Sequence, residues 1–205
     1  MNPFLPQKNI KASLMILVLA LAAVGCSTSV TRMDAAEVKD LSGAWNDTDS
    51  QQVSAEMMLD VLNRAWLPDF TIAHKRQPAV IVGEVSNLSH EHINTNTFVS
   101  DMERELINSG KVQFVASSTE RQEIRGERKD QDIHASEATR KAMGQEKGAD
   151  FMLKGTINTI IDASGKTQLR FYQVDLTLIS LADNSKVWVG QKKIKKLVER
   201  SQLRF

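Results

Sequence analysis

Residues 79–115 read AVIVGEVSNLSHEHINTNTFVSDMERELINSGKVQFV, and their patterning decides the fold. Ala79 to Val85 follows Pro78 as an apolar run without alternation, the pattern of a strand covered on both faces. A polar loop, Ser86 to Asn94, comes next. Phe98, Met102 and Leu106, with Val99 and Ile107, then recur at helical spacing, where Asn94 to Asn96 can cap the helix and Gly110 can end it. Lys111 to Val115 forms a second short apolar strand. A strand, a helix and a strand joined by links this short make a crossover, which predicts a parallel pair.

Beyond this unit, Glu120 to Asp132 carries almost nothing apolar except Ile124, so it reads as an exposed helix or mobile loop with intramolecular charge pairs. Ser136 with Thr139 to Lys147 predicts another helix, closed by Gly148, and Ala149 to Ile161 a strand. Ser164-Gly165-Lys166 turns the chain. Tyr172, Val174, Leu176 and Leu178 then face one way while Gln173, Asp175 and Thr177 face the other. Asp183-Asn184 is a second turn, and Val187 to Ile194 completes an antiparallel meander. The expected class is α+β: a small mixed sheet, built of a β-α-β crossover followed by that meander, with helices packed on it. The basic tail, with Lys192, Lys193, Lys195, Lys196, Arg200 and Arg204, is explained more simply as a solvated edge strand guarded against aggregation than as a site for an anion.

Before the crossover, Asp49 with Gln52 resembles a capping box. It opens a run in which Val53, Met57, Val61 and Ala65 share one helical face, flanked by Met58, Leu62 and Trp66, and Pro68 stops the run. Methionines at this spacing are core rather than an adaptable groove. Trp45, just ahead of a capped helix, is expected to fold back onto the domain, and both it and Trp188 to be structural. Ser27 to Ser50 is polar and without sustained periodicity, a tether of about 80 Å if extended and roughly 25–30 Å as a coil.

Further upstream, Lys8 and Lys11 precede the apolar run Leu14 to Val24, which is too short to span a bilayer as a helix. This is signal-peptide architecture. Ala23-Val24-Gly25-Cys26 resembles the lipobox of bacterial lipoproteins, departing from it at Ala23, where Leu is preferred. That resemblance implies cleavage before Cys26, acylation of Cys26 as the new first residue, and, with Ser27 following, sorting to the outer membrane. The expected organisation is a signal peptide over 1–25, a lipidated N-terminus and tether over 26–42, and one periplasmic domain over 43–205. Asn46-Asp47-Thr48 and Asn87-Leu88-Ser89 match the N-glycosylation pattern, which a bacterial signal makes irrelevant.

Composition narrows the chemistry. Twenty-six basic against 25 acidic residues leave a net charge of +1, so no global field invites nucleic acid. Cys26 is the one cysteine, so no disulfide forms within the domain. His90-Glu91-His92 is the one cluster resembling a metal site, with His74 and His134 elsewhere, but it has no cysteine or obvious third ligand beside it. No metal and no cofactor are expected. Neither a nucleophile elbow nor a phosphate-binding glycine pattern occurs, and no serine stands out as a catalytic one. Binding residues concentrate on polar loops, which points to Asn87, His90, Glu91 and His92 as a partner-binding group. Were that contact chiefly electrostatic, reversing Glu91 or Lys195 would change association more than stability.

Several stretches resemble the LpoB-type activators of penicillin-binding proteins. These are Ala44-Trp45-Asn46 with the following helix, Val80 to Asn87, Leu106 to Val115, Lys141 to Gly144, Gly148 to Leu153, and Lys186 to Gly190. The resemblance implies a fold similar to the amino-terminal domain of TolB and no enzymatic activity. It also implies an outer-membrane lipoprotein that binds and stimulates a class A bifunctional penicillin-binding protein, a peptidoglycan synthase. The short, proline-free tether suits an alternative, a lipoprotein of secretion or envelope assembly resembling the CsgG-related curli-secretion lipoproteins. Mass spectrometry of the membrane-extracted protein is expected to show Cys26 as an acylated first residue; an unmodified thiol there, or cleavage elsewhere, would contradict the lipoprotein reading.

Overall fold

The computed structural model describes residues 29–35, 37–139, 144 and 146–199. The chain divides into two units, Met1–Glu37 and Val38–Phe205, and every described helix and strand belongs to the second. In chain order these are α1 (Asp47–Leu62), α2 (Trp66–His74), β1 (Ala79–Asn87), α3 (Thr95–Asn108), β2 (Gln113–Phe114), α4 (Ser118–His134), β3 (Phe151–Ser164), β4 (Thr167–Ser180) and β5 (Lys186–Glu199). The expectations for the signal peptide and for Cys26 lie outside the described residues.

The expected α+β class and crossover are both present. The sheet runs β2-β1-β3-β4-β5, with β1 parallel to β2 and to β3, and β3, β4 and β5 joined as antiparallel hairpins. Ala79, Val80, Ile81 and Val82 are all buried, as a run without alternation requires. The second strand is shorter than Lys111 to Val115. Only Ala79 and Val80 stand opposite it, and the ladder closes with the Gln113 N–H on the Pro78 carbonyl and the Val115 N–H on that of Val80.

The core lies on one face of the sheet. Phe98, Met102 and Leu106 of α3 and Val53, Met57 and Val61 of α1 pack over Leu153, Ile157, Tyr172, Val174, Leu176 and Leu178. Ile107, expected on the α3 face, is 52% exposed instead, because the buried stripe follows the 98–102–106 line and stops there. Trp188 is buried, and its Nε1 donates to Asp60 Oδ2 at 2.8 Å. Its ring occupies the place of a side chain on Gly190, where a Cβ would stand 2.1 Å from Trp188 Cζ2.

Four expectations for the helices change. Asp49 is the third residue of α1 and the cap is Asn46, whose side chain accepts from the Asp49 N–H at 3.0 Å while Asp49 Oδ2 accepts from the Asn46 N–H at 3.0 Å. The long run from Val53 to Trp66 breaks after Leu62, and Trp66 begins a second helix. Pro68 sits in the first turn of α2, where a missing N–H costs nothing, so it does not act as a stop. The helix expected over 139–147 falls partly outside the described residues; Ser136 to Thr139 forms a single turn, and residues 144 and 146–149 are not helical. Glu120 to Asp132 is helical within α4, where Ser117 and Glu120 form a capping box and no residue is buried.

Asp150 ties the start of β3 to the start of β1. Its Oδ2 accepts from the Ala79 N–H at 2.7 Å, and Arg76 grips both oxygens at 2.7 Å. The Arg76 guanidinium, with the Ala79 N–H, holds the Asp150 carboxyl below the usual carboxylate range despite its partial burial. A carboxyl whose folded pKa is depressed contributes stability that is complete above the unfolded value, about 3.9, and lost as pH falls through the folded one. Asp150→Asn is therefore expected to lower the urea midpoint at pH 7 and to flatten its fall below about pH 4. Parallel acid profiles for wild type and variant would show that Asp150 carries no such linkage.

Candidate functional site

The last residue of β1, Asn87, and the loop that leads from it to α3 contain all four residues expected to bind a partner, and the structure divides them. Asn87 Nδ2 donates to the Glu91 carbonyl at 2.7 Å, while Asn87 Oδ1 accepts from the Ser89 N–H at 2.9 Å. The Asn87 side chain thus fixes the loop's own turn. Ile93 buries the far end of the loop, and the His90 N–H reaches Thr159 Oγ1 at 3.3 Å. His90 and His92 are exposed. Among the described residues, no group of three or more His, Cys, Asp or Glu could hold a metal ion.

Glu91 faces inward. Oε1 accepts from Tyr172 Oη at 2.7 Å and from Arg170 Nη1 at 2.8 Å, and Oε2 accepts from the Trp45 N–H at 3.1 Å. The carboxylate and the guanidinium are each only 17% exposed. The Gly43 carbonyl, 3.2 Å from the same hydroxyl, shares its single proton with Glu91. Burial, followed by the hydrogen bond to Glu91, raises the pKa of the Tyr172 hydroxyl, which stays neutral and donating. These bonds tie Glu91 into the domain, so reversing it is expected to act on stability as well as on association.

The same region fastens the segment ahead of α1. Trp45 meets Phe98 and Tyr172 edge-on, at centroid distances of 6.3 and 5.6 Å, and its Nε1 donates to Ser50 Oγ at 2.9 Å, so it folds back onto the domain. Gly43 has φ +67°, and a Cβ there would stand 2.2 Å from Val198 Cγ2, so a side chain at this position would part the strap from β5. Lys196 Nζ donates to Asp40 Oδ1 and Asp49 Oδ2, each at 2.7 Å, and to the Ala44 carbonyl at 3.3 Å. Burial alone would lower the Lys196 pKa, but the hydrogen bonds to Asp40 and Asp49 raise it, and Lys196 in turn holds Asp40 below the usual carboxylate range. Lys196 was expected to be a solvated guard. It is 12% exposed and serves as a buried cation, whereas Lys193 and Lys195 on the opposite face of β5 are exposed.

Sequence reasoning missed Arg170, Tyr172 and Lys196 as polar centres. Tyr172 and Arg170 lie 81 and 79 residues from Glu91 along the chain, and no local spacing marks them. It also missed Arg121, Arg125 and Arg128 of α4, which gather around Glu146. The i, i+4, i+7 spacing of these arginines is a signal that could have found them.

This arrangement places the chain among small α+β domains in which a crossover unit is extended by an antiparallel meander. Its sequence matches the family described as peptidoglycan-synthase activator LpoB over residues 49–194, and the chain belongs to that family. Among solved structures it is similar to the LpoB C-terminal domain from Escherichia coli, with 14% identity, a TM-score of 0.42, and 72% of this chain and 99% of that one covered. It is also similar to lipoprotein GNA1162 from Neisseria meningitidis, with 16% identity, a TM-score of 0.40, and coverage of 62% and 88%. For the PelC dodecamer from Paraburkholderia phytofirmans the figures are 12%, 0.32, and 62% and 76%. No individual curated protein matches the sequence.

Replacing Glu91 by Ala leaves a buried phenol short of its acceptor and a largely buried guanidinium unpaired, so it is expected to destabilise the domain by roughly 2–4 kcal/mol. Tyr172→Phe removes one hydroxyl and should cost about 1 kcal/mol. Denaturant melts of the two variants check the ranking; an unchanged midpoint for Glu91→Ala would contradict an interior role.

Proposed function

We propose that this protein is an outer-membrane lipoprotein, anchored through acylated Cys26, whose domain faces the periplasm and binds and stimulates a class A bifunctional penicillin-binding protein without catalysing a reaction itself. Membership of the synthase-activator family carries this reading: the matched residues, 49–194, span α1 to β5 and thus nearly the whole folded unit. The site's chemistry agrees with it. Glu91, Tyr172, Arg170 and Lys196, four polar groups largely withdrawn from solvent, each use their hydrogen bonds to hold one part of the chain to another. No helix among the described residues is long and apolar enough to cross a membrane, which leaves anchoring to the N-terminal segment in this reading. Acyl chains, at about 0.8 kcal/mol per buried methylene, are sufficient for it when more than one is attached.

The test mixes the purified protein with the organism's bifunctional synthases and follows both binding and glycan polymerisation. Saturable binding with faster polymerisation is expected. A folded protein that neither binds nor stimulates any of them would overturn the reading, and a ring-shaped oligomer of the lipidated form would favour the secretion or envelope-assembly alternative that the short tether suggests.

A further inference from the structure

α4 has 17 residues and none of them is buried, so apolar packing does not explain its place against the domain. The side chains of Arg121, Ile124, Arg125 and Arg128 share one helical face by their spacing. Arg121, Ile124 and Arg128 line a groove of about 220 Å³ whose other wall includes Phe114, Val115 and Glu146, and Arg125 reaches Glu146 from beside it. Arg125 grips the Glu146 carboxylate with two bonds of 2.7 Å, Arg128 Nη1 stands 4.0 Å from it, and the charge of Arg121 also acts on it.

One carboxylate is thus gripped by Arg125 and approached by Arg128, with Arg121, whose Nη1 donates to the Ala116 carbonyl at 3.2 Å, on the same side, and Lys147 adds a further positive charge to the groove. A half-exposed ion pair contributes little to stability, and one arginine is enough to make it. Like charges gathered beyond that need repel one another unless a further anion joins them. The planar forks suit carboxylates, and the apolar wall beside them suits a side chain next to the carboxylate in sequence. A net charge of +1 over the whole chain gives no general attraction to a membrane or a nucleic acid.

We propose that this groove docks an acidic segment of the partner synthase, whose carboxylate takes the arginine fork from Glu146 while an adjoining apolar side chain rests on Val115 and Ile124. Glu146 acts as a built-in competitor that keeps the arginines paired until the segment arrives. The inference rests on the proposed function and adds the surface through which it works.

The test uses the full chain in detergent micelles, the purified periplasmic region of the bifunctional synthase, and titration calorimetry at low and high salt. The triple variant Arg121→Gln, Arg125→Gln, Arg128→Gln is expected to raise Kd at least about tenfold and to flatten its salt dependence. Glu146→Gln, which removes the competitor and keeps the arginines, is expected to lower Kd by roughly threefold. Both variants should melt as the wild type does, since no buried side chain of α4 is touched. Wild-type affinity in the triple variant, or a Glu146→Gln loss as large as the arginine loss, would overturn the inference while the proposed function stands. So would arginine-dependent binding to phosphatidylglycerol vesicles, or an arginine-dependent dimer in sedimentation, with the synthase affinity unaffected. A wild-type protein that binds no synthase would instead overturn the proposed function and this inference with it.

Discussion

The Glu91 carboxylate, in the β1–α3 loop, is held by three donors drawn from two other parts of the chain: the Trp45 N–H ahead of α1, and the Arg170 and Tyr172 side chains of β4. A largely buried carboxylate is costly unless it is paired and hydrogen-bonded, so the domain closes only when all three elements are in place. The β1–α3 loop, the N-terminal strap and the meander are thereby made interdependent. Trp45 extends the same coupling into the apolar core through its ring contacts with Phe98 and Tyr172. Replacing one donor weakens the fastening of the other two, and that is why a loop residue of this kind behaves as part of the interior.

Charge is used in two ways in this fold. On β5, alternation sends Lys196 to the helix-bearing side, where Asp40 and Asp49 neutralise it, and leaves Lys193 and Lys195 on the open face. The first arrangement fixes the segment that leads toward the N-terminus. On α4, by contrast, three arginines stand on the side of a single carboxylate at a half-open groove. The first set lies largely withdrawn from solvent and the second is half exposed, which is the contrast the proposed docking surface rests on.

The structure shows how the domain is held together without a disulfide. The meander strands run 14 residues each, far longer than β2, and are bound to the crossover by Asp150 at one end and by the Glu91 group toward the other. The strap residues Gly43 to Asn46 join the domain where the segment from the N-terminus enters it.

Much of this was legible in the sequence because it rests on local periodicity. The unbroken apolar run from Ala79, the helical spacing of Phe98, Met102 and Leu106, and the alternation from Tyr172 to Leu178 each reflect a face that must be covered, so the crossover and the meander followed from them. Helix ends were less legible. Asn46 and Asp49 cap each other and Pro68 sits inside a new helix, because several residues near a terminus can each satisfy the same free backbone groups. The roles of polar residues were set by tertiary structure alone. Glu91 in a polar loop and Lys196 in a lysine-rich strand carry the same local signals as solvent-exposed neighbours such as His92 and Lys195. What turns them inward is a set of partners 79, 81, 147 and 156 residues away, brought within hydrogen-bonding distance only when the sheet has formed.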